Sequence, residues 1–308
     1  MVSTRTEVTV EERRLSLSNL DRLYWPDDGY TKGELVAYYA RVYSSLAPHL
    51  RDRPLVTTRY PKGIEEQSFY QKNLPAGAPD WVTVFPVPSE GKDQVIQYVI
   101  CNDLPTLVWL ANLGTIELHP WLSRIGSLDQ PDFAVFDLDP DFPSTIAEAK
   151  EVAFILRDIL LLLGAQPQLK TSGATGLHLF VPLAGTDSYQ EVREFCRQVA
   201  QTVATQRPDL ATVERKVAER GGKVYIDWLQ NVKGKTICAP YSVRPLPGAP
   251  VSTPLTWAEL ATGAKSSNIN EMQNRLQQQG DLFSAVLKPG PSVAEMYSNL
   301  NNVLSGRS

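Results

Sequence analysis

The chain has 308 residues, 43% hydrophobic and 21% charged, with 30 basic and 34 acidic side chains and a formal net charge of −4. That length accommodates one or two domains with an enzyme-sized core. Such hydrophobicity at so small a net charge excludes intrinsic disorder, and Gly and Pro without period exclude collagen-like and low-complexity classes.

The longest apolar run, near residues 155–163, is interrupted by Arg157 and Asp158. It falls far short of the roughly 20 residues a membrane helix needs. The opening MVSTRTEVTVEERR has no apolar segment of the secretory kind. Cys101, Cys196 and Cys238 are far apart and in no CxxC spacing, against a disulfide frame or a zinc site. A cytoplasmic location without a membrane partner is therefore expected.

Up to about Asp129, prolines (Pro26, Pro48, Pro54, Pro61, Pro75, Pro79) punctuate short elements, which predicts an irregular, partly helical portion. Thr31 to Leu50 reads as a helix there, with Thr31 and Glu34 as a capping box and Leu35, Tyr38, Tyr39, Val42 and Leu46 as its apolar face. Phe133 to Leu138 (FAVFDL) has the composition of a buried strand, ended by Pro140 and Pro143. Ser144 is expected to cap a helix that Gly164 closes. Leu177 to Leu183 reads as a second strand, Ser188 with Glu191 as the start of a second helix, and Val224 to Leu229 as a third strand. From Ser267 the chain is Asn/Gln-rich, with Met272, Leu276 and Leu282 placed for an amphipathic closing helix. The expected organisation is one domain over 1–308: an N-terminal portion 1–129, a mixed α/β core 130–260 and a helical tail 261–308.

Asp137 and Asp139 stand at i and i+2 on the first of these strands, so both side chains share one face. Like charges about 6–7 Å apart repel, and a divalent cation relieves that repulsion. An acidic turn is the plainer alternative. Asp227, between Ile226 and Trp228, would complete a three-carboxylate site for two metals, or simply lie exposed on an edge strand. Between Lys170 and His178, Ser172, Gly173, Thr175 and Gly176 make a small turn whose N–H groups could approach phosphate, though no P-loop lysine follows. Val213 to Arg244 holds seven basic and three acidic residues, +4 against −8 for the remainder. That stripe suits phosphate, and equally a solvated hairpin surface.

FDLDP, SGATGLHLFVPL, VYIDW and NVKGKTICAPYSVR follow one another in an order that resembles the archaeo-eukaryotic primase superfamily. More narrowly, they are similar to the polymerase domain of the bacterial end-joining repair ligase, ligase D, and its stand-alone relatives. LSLSNLDRLYWPDDGYTKGELVAYY and RPLVTTRYPKGIEEQSFYQKN resemble that family's opening helix and following strands. The resemblance implies a primase-like α/β (α+β mixed) fold, with mixed sheets flanked by helices. The activity it implies is ribonucleotide-preferring, template-directed nucleotidyl transfer that fills gaps in non-homologous end joining. Asp137, Asp139 and Asp227 then match the catalytic residues that bind two ions, Mn²⁺ or Mg²⁺. Ser172, Gly173, His178, Arg220, Lys235 and Arg244 match nucleotide-holding positions. Arg22 and Lys32 match those that grip a downstream 5′-phosphate, Phe69 and Tyr70 an aromatic pair that stacks on template bases, and His119 lies near the active site. Implied partners are DNA with a 5′-phosphate at gaps or ends, NTP or dNTP, and, as candidates, Ku and a DNA ligase; the location becomes nucleoid-associated.

One departure is Thr175, where the family often has lysine; Lys170 or Lys223 are candidates to replace that charge. The ligase and nuclease modules that accompany this domain elsewhere are absent, leaving a stand-alone polymerase and an excised domain as alternatives. Competing readings are a DNA-end-binding module with a degenerate site and a haloacid-dehalogenase-type DxD phosphatase. The latter gives the 220–244 basic stretch no role.

Overall fold

Leu15 and Leu17 point inward and Arg14 and Ser16 outward along Arg13–Ser18 (β2), the alternation of a half-buried strand. β2 pairs antiparallel with Arg5–Val10 (β1). The computed structural model describes residues 5–89, 94–263 and 265–304, which divide into two units. The first takes in the chain through Trp121 with Thr236–Ser252 and Ser266–Asp281; the second takes in Leu122–Lys235, Thr253–Lys265 and the chain from Leu282.

In the first unit, Leu23–Trp25 (β3) and Tyr30–Thr31 (β4) form a short ribbon that leads into the helix Lys32–Leu50 (α1). The expected capping box is present: Thr31 Oγ1 accepts from Glu34 N, and Glu34 accepts from Thr31 N at 2.7 Å. Such a cap contributes about 1 kcal/mol. Leu35, Tyr38, Tyr39, Val42 and Leu46 are buried, each worth about 1.5–3 kcal/mol of apolar burial. Pro54–Arg59 (β5) pairs with Phe69–Gln71 (β6), Val95–Ile100 (β8) and Thr115–Pro120 (β9), and Val84–Pro88 (β7) pairs with β8. Leu104–Asn112 (α2) lies between β8 and β9 in the chain. The portion expected to be irregular thus carries nine strands among its described residues. Several have only two or three residues and β7 contains two prolines, so neither composition nor length announced them.

The second unit is a six-stranded sheet backed by helices. Its strand order is Ala211–Thr212 (β13), Val224–Asp227 (β14), Phe133–Pro140 (β10), Leu177–Pro182 (β12), Gln168–Thr171 (β11) and Pro254–Leu255 (β15). All neighbours are antiparallel except β13 and β14. Ile146–Leu162 (α3) and Tyr189–Gln206 (α4) bury Val152, Leu156, Phe195 and Val199 against Ala134, Phe136 and Leu138 of β10, Leu177 and Leu179 of β12, and Ile226 of β14. Alternation then sends Asp137, Asp139, His178, Tyr225 and Asp227 to the face opposite the helices.

Ser188 and Glu191 cap α4 as expected. The cap of α3 is Thr145 with Glu148 and not Ser144, whose hydroxyl instead donates to Gly222 O at 2.6 Å. After Trp257–Thr262 (α5), the tail is not one helix but Glu271–Gln279 (α6) and Val293–Leu304 (α7). Gly280, at φ 67°, ends α6, and Pro289 and Pro291 precede α7, so Leu282 lies outside both. No described helix is long and apolar enough to cross a membrane.

Candidate active site

Strand register assembles the site. Lys170 on β11 lies opposite His178 on β12, His178 opposite Asp137 on β10, and Asp137 opposite Asp227 on β14. Four ionisable side chains therefore form one row across four strands, with Asp139 two residues along the same face. His178 Nε2 is 3.2 Å from Asp137 Oδ1, and both side chains are largely buried. Asp227 accepts from Leu229 N at 2.9 Å, Gln230 Nε2 at 3.0 Å and Tyr225 Oη at 3.2 Å. Even so, burial, with repulsion from Asp137, pushes its carboxyl above the usual range.

Asp139 and Asp227 line a cavity of about 310 Å³ whose other polar walls are Arg215, Arg220, Tyr225 and Lys235. The Arg220 guanidinium lies 4.1 Å from the Tyr225 ring centroid, which holds that charge at the cavity. Arg215 was not foreseen; the basic stripe was visible, but not which of its members turn inward.

The glycine turn is tighter than a flexible phosphate loop. Ser172 Oγ accepts from Ala174 N at 3.1 Å and Gly176 N at 3.0 Å, and Gly173 sits at φ 78°. A Cβ on Gly176 would come within 2.3 Å of Leu138 O, so only glycine lets the turn approach β10 beside Asp139. Thr175 is exposed, whereas Lys170 is fully buried behind His178.

The first unit holds a second set of candidates. Lys32 is 4% exposed and donates to Ser18 O at 2.6 Å. Its amine is pushed down to about 8, chiefly by burial and then by the charges of Arg22 and Arg59. Arg22 Nη1 donates to Pro61 O at 2.8 Å. Arg59, which sequence reasoning missed, donates to Leu113 O and to Gln71 and lies 4.9 Å from the Phe69 ring centroid. A buried amine beside two guanidinium charges suits a polyanionic ligand. Phe69 and Tyr70 are 43% and 52% exposed at consecutive positions of β6.

Tyr70 also packs 5.9 Å from the His119 ring and hydrogen-bonds Thr236 at 2.8 Å. His119 Nε2 and Arg244 Nε lie 3.4 Å and 3.2 Å from the two oxygens of Glu117. Burial alone would raise the Glu117 carboxyl, but the His119 hydrogen bond and the Arg244 charge outweigh it and hold it low. Glu117 is thus a further unforeseen member. Its i, i+2 spacing to His119 on a strand was the available signal.

An acidic floor under basic walls suits a polyphosphate with divalent counter-ions. Residues 31–283 match the family model described as LigD, primase-polymerase domain, and the chain belongs to that family. It is 34% identical over 281 residues to the multifunctional non-homologous end joining protein LigD of Mycolicibacterium smegmatis, covering 90% of this chain and 37% of that protein. With the bifunctional LigD of Bacillus subtilis it shares 33% identity over 273 residues, 88% of this chain and 44% of that one. The chain therefore spans about two fifths of these relatives' lengths. It superimposes on the polymerase domain of Mycobacterium tuberculosis ligase D, solved in complex with DNA, with a TM-score of 0.85 at 32% identity, over 90% of this chain and 99% of that one. The primase-like mixed α/β fold is the expected one.

The family is metal-dependent, and the donor set fits a hard divalent cation: carboxylates on one sheet face, in mutual repulsion, beside cationic walls. Among the described residues no group of three or more His, Cys, Asp or Glu side chains is placed to hold a metal ion. Mg²⁺-type sites commonly use one or two carboxylates and draw further ligands from substrate phosphates.

Proposed function

We propose that this chain is a template-directed, ribonucleotide-preferring polymerase that extends primer ends and fills gaps at broken DNA during non-homologous end joining. The observation that carries this reading is the opposition of Asp137 and Asp227 across two strands, together with the cavity that Asp139 and Asp227 line beside Arg215, Arg220 and Lys235.

Asp137, Asp139 and Asp227 would hold two divalent ions, Mn²⁺ or Mg²⁺. Ions bound there would lower the pKa of the primer 3′-hydroxyl and neutralise the triphosphate. Arg220 and Lys235 then attract the triphosphate into the cavity, and Ser172 and Gly173 keep the turn beside Asp139 shaped for the sugar and phosphates. His178 orients Asp137 and faces the nucleotide. Arg244, held by Glu117, is a further phosphate ligand, and His119 shares that support.

Arg22 and Lys32, joined by Arg59, bind a downstream 5′-phosphate, while Phe69 and Tyr70 stack on an unpaired template base. The partners are DNA with such an end and nucleoside triphosphates, with Ku and a DNA ligase acting on the same break in the nucleoid. The M. tuberculosis domain's complex with DNA supports the DNA assignment. Incorporation of a ribonucleotide and of its deoxy counterpart on a gapped duplex tests the reading. Metal-dependent extension that favours the ribonucleotide is expected, and no extension with either sugar and either metal refutes it.

A further inference from the structure

Lys170 is the one residue of the cross-strand row for which nucleotidyl transfer has no direct use. It is fully buried on β11, and its Nζ lies 2.7 Å from His178 Nδ1 and 5.5 Å from the Phe180 ring centroid. Phe180 is itself wedged edge-on against Phe283 at 5.1 Å, which walls the ammonium off from water. A lysine in such a place is costly, and methionine or leucine would fill it more simply. Its retention calls for something that only a donor can do.

The Phe180 ring face favours the charged form of Lys170, and an ammonium has three donors and no acceptor, so against it Nδ1 of His178 accepts and the imidazole proton sits on Nε2. Nε2 is the nitrogen that faces Asp137 Oδ1 at 3.2 Å. The alternative tautomer would set N–H against N–H at Lys170 and present a bare nitrogen to a carboxylate.

We infer that Lys170 is a positioning residue that fixes the tautomer and ring plane of His178, so that Nε2–H is presented to Asp137 and to the nucleotide site. The last clause rests on the function proposed above; the tautomer itself does not. Lys170 therefore does not replace the charge missing at Thr175 by touching the triphosphate, because it stands behind the histidine. It acts through the ring, as outer-shell partners of liganding histidines do.

The test is histidine-selective ¹⁵N NMR of the metal-free, nucleotide-free protein at neutral pH. There are three histidines, and His178→Gln identifies the signal that disappears. The expected wild-type spectrum has His178 protonated at Nε2 and bare at Nδ1. Lys170→Met, which keeps the volume and removes the donor, should give mixed tautomers. It should also raise KM for the nucleotide about tenfold, at the lower end of such outer-shell effects, with a smaller change in kcat. Lys170→Arg should restore both.

A wild-type His178 protonated at Nδ1 overturns the inference, as does a folded Lys170→Met protein with unchanged tautomer and KM. Should Lys170→Met not fold, the wild-type and Lys170→Arg spectra decide alone. The spectra need no turnover, so a chain without polymerase activity but with the expected tautomer would refute the function and leave the role of Lys170 standing.

Discussion

Two clusters of like charge, one acidic and one basic, differ in how they are built. On the sheet of the second unit, Asp137 and Asp227 face each other through strand register, and Asp227 is pushed toward its neutral form. In the first unit, Lys32 is pushed toward its neutral form beside Arg22 and Arg59, three residues brought together by a helix start, a turn and a strand end. Neither arrangement favours the fold by itself; each makes sense as half of a complex whose other half has the opposite sign. On the function proposed above, the acidic cluster would take divalent cations and the basic one a terminal phosphate. The comparison also separates rigidity from reach: carboxylates fixed by register suit chemistry, whereas long cationic side chains suit capture.

The comparison breaks most easily at the carboxylates. Asp137→Ala should lower single-turnover incorporation by roughly 10³-fold or more, the scale of several kcal/mol of lost charge stabilisation. Binding of a gapped duplex, measured by anisotropy, should change little. Incorporation near wild type in this variant would take the acidic cluster out of the chemistry.

The basic cluster should behave in the reverse way. Lys32→Ala should weaken binding of a 5′-phosphorylated gap by about 10–100-fold, the range of a charge-assisted hydrogen bond, and leave the unphosphorylated duplex nearly untouched. Equal loss on both duplexes would mean that Lys32 serves structure alone.

A pH series sharpens the same point. Phosphate binds the charged amine, and the free folded protein holds Lys32 at about 8. Affinity for the phosphorylated end should therefore fall as pH rises above about 8, by up to about tenfold per unit, and Lys32→Arg should flatten that fall. The stability effect has the opposite sign. The unfolded chain keeps its proton to about 10.5, so the folded protein binds fewer protons between about 8 and 10.5, and stability from this group rises with pH in that window. A flat binding profile in wild type would place the phosphate elsewhere.

The smallest effect is expected at the aromatic pair. Phe69→Ala should reduce affinity for a gap with an unpaired template base by about 1–3 kcal/mol, independent of sequence. Duplex without unpaired bases should bind as before.

The acidic cluster was readable because it lies on strands with strict periodicity. FAVFDLDP and VYID each state their two faces, and placing the two strands side by side sufficed. The basic cluster was readable only in part. Arg22 and Lys32 were visible through resemblance, but Arg59 sits at the end of a strand that nothing linked to them. In the fold, the caps of α1 and α4 were legible because a capping box is local. Local rules placed the α3 cap one residue early, since Ser144 and Thr145 are both competent and only the Gly222 carbonyl decides which is free. Short, proline-bearing strands of the first unit left no periodic trace, because two or three residues do not complete a period.

Primer extension across a gap, with and without the downstream 5′-phosphate and with and without divalent metal, tests both clusters in one assay of the unmodified chain. The account predicts no extension without metal, and with metal a faster and tighter reaction on the phosphorylated gap. Extension that is independent of metal, or identical on the two gaps at moderate salt, would contradict it.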